Sequence, residues 1–230
     1  MFLFCSNICC MLEQKKGPIL VSLVKTVAFE GITARQVEAQ ASLSYGVPGF
    51  VIVGLPDKAV NESRERVRAV FKALGLEFPE GRVVVNLAPA NLIKEGTHYD
   101  LPIALAVMAL KGYVAKEALD GFLFMGALSL DGSVEKVSGV LPAAVQAAAS
   151  GFGVVCPLAN GTEAAWSNAK LILPISHILE LLNYFKGKTQ ILPPKKPTIS
   201  NGDYKFDMAD VKGQESAKRA MMIAAAGGHK

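Results

Sequence analysis

Between positions 94 and 100 the chain gathers Lys94, Glu95, His98, Tyr99 and Asp100, residue types that move protons, bind metals and pair with anions. An imidazole beside carboxylates is raw material for acid–base work or for part of a metal shell. His98 and Asp100 stand two apart in one loop, so they supply at most a partial shell, and no second cluster accompanies them. A plainer reading competes with this one. Asp100 precedes Leu101 and Pro102, so its carboxylate is expected to cap a helix by accepting from first-turn amides, with Pro102 early, where its missing N–H costs nothing. His98 is then expected to cap or pack on that helix start. Lys94, His98 and Asp100 together mark the candidate functional loop. His177, in an expected surface helix, and His229, near the chain end, add nothing to it.

The elements that position this loop follow from hydrophobic period. Leu20 to Glu30 is rich in β-branched and aromatic residues, and 36–44 alternates Val37, Ala39, Ala41 and Leu43 with polar neighbours; both read as strands. After turn residues at 45–49, 50–53 is a short buried strand. Residues 57–74 form an amphipathic helix on Val60, Val67, Val70, Phe71 and Leu74, stopped by Gly75. Its other face carries Arg64, Arg68 and Lys72 every four residues, and Glu62 can pair with Arg66 at i, i+4. Such a stripe fits contacts to nucleic-acid phosphates and fits equally a solvated face, since no aromatic residues interleave it. A strand at 83–88 leads into the loop, and an apolar helix after it is hydrophobic on all sides, hence interior. Further on come a strand at 122–130 turned by Asp131-Gly132, a helix at 141–150 and a strand at 153–157. An opening run of strands followed by alternation predicts an α+β (α/β two-layer) domain with a mixed sheet.

With 51% hydrophobic and 19% charged residues, the chain has the apolar material for a sizeable core. A net charge of +4 permits an anionic partner without arguing for one. Cys5, Cys9, Cys10 and Cys156 show no CxxC spacing, which argues against a zinc site or disulfide framework and for a reduced, cytoplasmic protein. Residues 1–12 are apolar but too short to span a bilayer and lack a basic start, so 1–19 is expected to be a disordered extension. Pro193, Pro194 and Pro197 with Ser200-Asn201-Gly202 read as a linker over 188–205, which closes a domain at 20–187. Trp166 is expected in a satellite of the core, and Lys111 and Lys116 in solvent.

Several motifs stand in a characteristic order: 21–32, 37–40, Gly49-Phe-Val-Ile-Val-Gly-Leu-Pro-Asp, 62–69, Val85-Asn-Leu-Ala-Pro-Ala, Lys94-Glu95-Gly96, Asp100-Leu-Pro-Ile-Ala-Leu-Ala and Gly126-Ala-Leu-Ser-Leu-Asp-Gly. Over 20–230 the chain resembles the magnesium-chelatase-like AAA+ proteins of the YifB/ComM competence family, whose N-terminal domain is similar to the Lon protease domain. The resemblance implies a ribosomal-protein-S5-domain-2-like fold. It also implies that 206–230 begins an AAA+ module, with Val211, Gly213 and Gln214 bordering an adenine pocket. For the intact family it implies ATP and Mg as cofactors, a hexameric ring, and an ATP-driven DNA motor promoting branch migration in competence and recombination.

The phosphate loop GxxxxGK[ST] does not occur in these residues, so the chain is expected to be a fragment ending just before it and inactive as an ATPase on its own. In the Lon-like alignment His98 falls where the catalytic Ser would be and Ala143 where the Lys would be, so neither half of a Ser–Lys dyad is present. The remaining activity is interaction with neighbouring subunits or DNA, through the 64/68/72 stripe and the 94–100 loop. An ATPase subunit of a metal chelatase and a non-functional remnant are the alternatives.

Overall fold

The computed structural model describes residues 20–196 and 207–228. The expected extension at 1–19, the linker positions 197–205, Cys5, Cys9, Cys10 and His229 lie outside the described residues. The chain divides into two compact units, Met1–Lys196 and Pro197–Lys230.

In the first unit the long β-branched runs form an antiparallel pair, β1 (Leu20–Glu30) and β2 (Thr33–Ser44), in continuous register from Leu20↔Leu43 to Glu30↔Thr33. β3 (Gly49–Val53) pairs parallel with β4 (Arg82–Ala88), which lies antiparallel to β2. β5 (Phe122–Phe124), β8 (Gly153–Pro157) and β9 (Ile172–Ile175) extend the sheet in parallel from β1. The seven strands run in the order β3-β4-β2-β1-β5-β8-β9, and β6 (Ala127–Leu128) and β7 (Val134–Glu135) form a separate hairpin. The mixed sheet with helices is the expected α+β class.

Alternation along the strands builds two apolar layers. Val24 and Ala28 of β1, Val37, Ala39 and Ala41 of β2 and Phe50 and Ile52 of β3 face a large core closed by α1 (Lys58–Ala73), α2 (Asp100–Leu110) and α6 (Ile178–Phe185). Val27 of β1 and Leu123 of β5 face the opposite side, where α4 (Val140–Ala149) closes a smaller core with Ala143, Ala144 and Ala147. Every residue of α2 is buried, as its uniform apolarity predicts. Short helices α3 (Lys116–Leu119) and α5 (Gly161–Ala164) complete the unit. The predicted 122–130 strand is two strands, because the chain turns at Gly126 to dock on the 94–100 loop. In the second unit, α7 (Glu215–Gly227) exposes Met221, Met222 and Ile223. No helix among the described residues is long and apolar enough to cross a membrane.

Candidate functional site

The loop after β4 is stitched to the start of α1. Lys94 N–H donates to the Leu55 carbonyl at 3.2 Å, and Asp57 N–H donates to the Lys94 carbonyl at 3.0 Å. The Asp57 carboxylate serves both partners. Its Oδ1 caps α1 by accepting from Val60 N–H at 2.7 Å, and its Oδ2 accepts from Gly96 N–H at 3.2 Å. Gly96 takes φ +95°, which an L side chain rarely adopts, and this lets the loop turn inward.

That turn carries the polar side chains into the protein. Lys94 is fully buried, its Nζ donating to the Pro89 carbonyl, and burial pushes its pKa below the usual lysine value. His98 is also buried. Its Nε2 lies 2.9 Å from the Val27 carbonyl; a carbonyl only accepts, so Nε2 carries the proton and Nδ1 is bare in the neutral ring. The ring packs 4.1 Å from Tyr99 and 5.4 Å, edge-on, from Phe29. Desolvation lowers its pKa, against smaller opposing effects of the Val27 carbonyl, Asp100 and Asp57. Tyr99 is fully buried with no partner for its hydroxyl among the described residues, and burial raises its pKa.

Asp100 does not cap α2. The N-cap is Tyr99, without a side-chain bond, because a 3-10 turn at Thr97–Tyr99 already leads into the helix. The first amides are met elsewhere: Leu101 N–H donates to the Gly126 carbonyl at 3.0 Å, and Pro102 has none. The freed carboxylate crosses to α1. Its Oδ2 accepts from Arg66 Nε at 2.6 Å and from Leu128 N–H at 3.1 Å, and its Oδ1 accepts from Arg66 Nη2 at 3.0 Å and from the Ser63 hydroxyl. This bidentate pair, with Asp100 wholly buried and the Arg66 side chain 21% exposed, raises the Arg66 pKa chiefly through the hydrogen bond to Asp100. Gly126 completes the joint, its N–H donating to the His98 carbonyl at 3.1 Å, and a Cβ there would meet Val134 at 2.7 Å. Ser63 and Arg66 were not among the expected site residues. Ser63 shares the core face of α1 with Val60 and Val67, and a polar residue on such a face calls for a buried partner.

The expected Glu62–Arg66 pair forms at 3.8 Å, secondary to Asp100. On the outer face of α1, Arg64 is half-buried and donates from Nε to the Asn61 carbonyl at 2.9 Å. The Arg68 guanidinium lies 5.5 Å from the Phe78 ring centroid, and Lys72 is exposed. Val211, Gly213 and Gln214 lie in the second unit, where Gly213 and Gln214 have φ +72° and +56° and Gln214 is the N-cap of α7. Ala143 sits in the smaller core. His177 is the N-cap of α6, not a helix residue, its Nδ1 accepting from Leu179 N–H at 3.1 Å. Trp166 is 38% exposed beneath the Lys196 ammonium, not in a satellite core. Cys156 is buried, with its thiol pushed up to about 12 by desolvation. Among the described residues no group of three or more His, Cys, Asp or Glu is placed to hold a metal ion.

Comparison with known proteins gives this arrangement a setting. Residues 37–160 match the family described as subunit ChlI of Mg-chelatase, and 207–230 match magnesium chelatase, subunit ChlI. The chain is 36% identical over 209 residues to the uncharacterized protein YifB of Escherichia coli, covering 91% of this chain and 41% of the relative. It is 35% identical over 215 residues to competence protein ComM of Haemophilus influenzae, covering 91% and 42%. An uncharacterized protein of Mycobacterium bovis is 37% identical over 205 residues, covering 89% and 41%. The chain therefore spans about two-fifths of the length of these relatives.

Proposed function

The chain belongs to the family of the Mg-chelatase subunit ChlI, and from that premise we propose that it is a catalytically silent interaction domain of a ring-forming, ATP-driven DNA motor. One observation carries the reading. Three of the side chains of the 94–100 loop that could do chemistry are held inside the fold, Lys94 on a carbonyl, His98 on a carbonyl, and Asp100 on Arg66, Ser63 and Leu128, which leaves Glu95 alone at the surface. A general acid or nucleophile must reach its substrate, and these cannot. The loop is a clamp joining α1, α2 and the β6–β7 hairpin.

Interaction is then the work left to the surface. Arg64, Arg68 and Lys72 are its DNA contacts, through phosphates and without base readout. A relative named as a competence protein favours DNA handling. ATP and Mg are cofactors of the intact protein: Val211, Gly213 and Gln214 edge the adenine site, and the phosphate-loop pattern GxxxxGK[ST] does not occur in these 230 residues. The intact protein works in the cytoplasm and self-associates as a ring. The family description favours a second reading, the ATPase subunit of a metal chelatase.

Binding of the purified chain to single-stranded and forked DNA, beside a variant with Arg64, Arg68 and Lys72 changed to Glu, tests the proposal. Binding that the variant loses supports the DNA role; equal binding by both removes it.

A further inference from the structure

Where β1 and β4 end, the protein has a cavity of about 440 Å³ lined by Ala28, Phe29, Glu30, Asn91, Leu92, Ile93 and Glu95. Ala28, Phe29, Leu92 and Ile93 give it apolar side chains among polar neighbours, and its charged groups are both carboxylates, of which Glu30 also pairs with Arg35 at 3.2 Å and Glu95 has no ion-pair partner among the described residues. Two large apolar side chains stand exposed at the mouth. Ile93 is 64% exposed, and the backbone bonds between 55–57 and 93–95 set Leu55, 55% exposed, alongside it. Leu55 also holds φ +58°, a left-handed conformation costly for a non-glycine residue. An exposed leucine held in a disfavoured backbone is the kind of local cost that marks a contact surface.

The same unit carries a segment of opposite character. After α6 the chain runs without regular structure from Gln190 to Lys196, and Leu192 is 78% exposed. Around it Lys186, Lys188, Lys195 and Lys196 are exposed, and none has a carboxylate within ion-pair distance among the described residues. Pro193 and Pro194 stiffen it, and Ile191 packs against the core of its own domain, so little conformational entropy is lost on docking. Pro194 lies by Gly161 and Pro174 of β9, three strand positions from β1, at roughly 4.8 Å per step. One chain therefore holds pocket and segment at separate places.

We propose that the cavity receives the 186–196 segment of a second copy of this chain, Leu192 entering beside Phe29 and Ile93 while the lysines face Glu30 and Glu95. The contact is heterologous, and repeated it builds a ring or an open filament. This rests on the self-association proposed above and names its surface.

The test is sedimentation velocity of the purified chain from micromolar to near-millimolar concentration. Two variants accompany it: a pocket variant, Glu30→Lys with Glu95→Lys, and a segment variant, Leu192→Asp with Lys195→Glu. The substituted side chains lie on the surface, and far-UV circular dichroism checks that each variant folds. The unsubstituted chain associates in steps beyond a dimer, and each variant alone associates at least tenfold more weakly. The two variants mixed form a dimer and nothing larger, since only one intact pocket meets one intact segment. Association equal to the unsubstituted chain in either variant, or a mixture that stays monomeric, overturns this surface while leaving self-association standing. An unsubstituted chain that stays monomeric throughout overturns both.

Discussion

Replacing Asp100 with Ala is the sharpest perturbation of the clamp. It removes the acceptor for Arg66 Nε at 2.6 Å, Arg66 Nη2 at 3.0 Å, Leu128 N–H at 3.1 Å and the Ser63 hydroxyl. Removing one partner of a buried ion pair costs roughly 3–5 kcal/mol. The partial exposure of Arg66 lets water repay some of that, whereas the stranded Leu128 amide adds about 1–3 kcal/mol. The expected loss is therefore about 4 kcal/mol. With a urea slope of about 2 kcal/mol/M, the midpoint falls by about 2 M. Arg66→Met alone strands the buried carboxylate and costs a comparable amount, while the double variant loses far less than the sum, because neither charge is left uncompensated. Urea unfolding of the four proteins, followed by circular dichroism, reads all of this. A loss below about 1 kcal/mol for Asp100→Ala, or additivity within about 0.5 kcal/mol, would refute the clamp.

Other expectations follow from the same neighbourhood. Because burial lowers the His98 pKa, the unfolded chain binds its proton at higher pH than the folded one; stability is full above about pH 6.5 and falls as pH drops below it, by at most about 1.4 kcal/mol per unit. His98→Gln keeps a donor for the Val27 carbonyl and should flatten the pH dependence of the unfolding midpoint below 6.5 by one proton's worth; an unchanged slope contradicts the assignment. Tyr99→Phe and Thr26→Val each remove a buried hydroxyl without a partner among the described residues, so each should leave the melting temperature equal or higher, by up to about 1 kcal/mol equivalent, and a clear drop would reveal an unseen partner. Gly139→Ala puts a Cβ 2.5 Å from the Phe29 ring at φ +82°, and thermal melting should register a loss of at least about 2 kcal/mol.

What the sequence disclosed depended on the range of the interaction concerned. Periodicity located α1, whose predicted apolar positions Val60, Val67, Val70 and Phe71 are buried, and uniform apolarity placed α2 in the interior. The role of Asp100 was not legible, because helix-start rules assume that first-turn amides need a cap, and here Gly126 supplies one partner from 25 residues away in sequence. Arg66 read as the local partner of Glu62, 3.8 Å away, while its stronger partner lies 34 residues on. β9 escaped notice because Pro174 interrupts its pattern; it survives as an edge strand, where a missing donor costs little. Lys94 stood out as a charge in a loop, and only the inward turn at Gly96 shows that it is buried.

On the proposed function, this domain acts by interaction and α1 meets DNA through phosphates. The most direct test measures the affinity of the purified chain for forked DNA over a salt series, with and without Arg64, Arg68 and Lys72 changed to Glu. Each phosphate contact contributes about 0.9 to the slope of log K against log salt on duplex and about 0.7 on single strands. Loss of the three cations is expected to lower that slope by about two to three and to abolish binding at physiological salt. An unchanged slope in the variant, or no binding by the unsubstituted chain even at low salt, would contradict the claim.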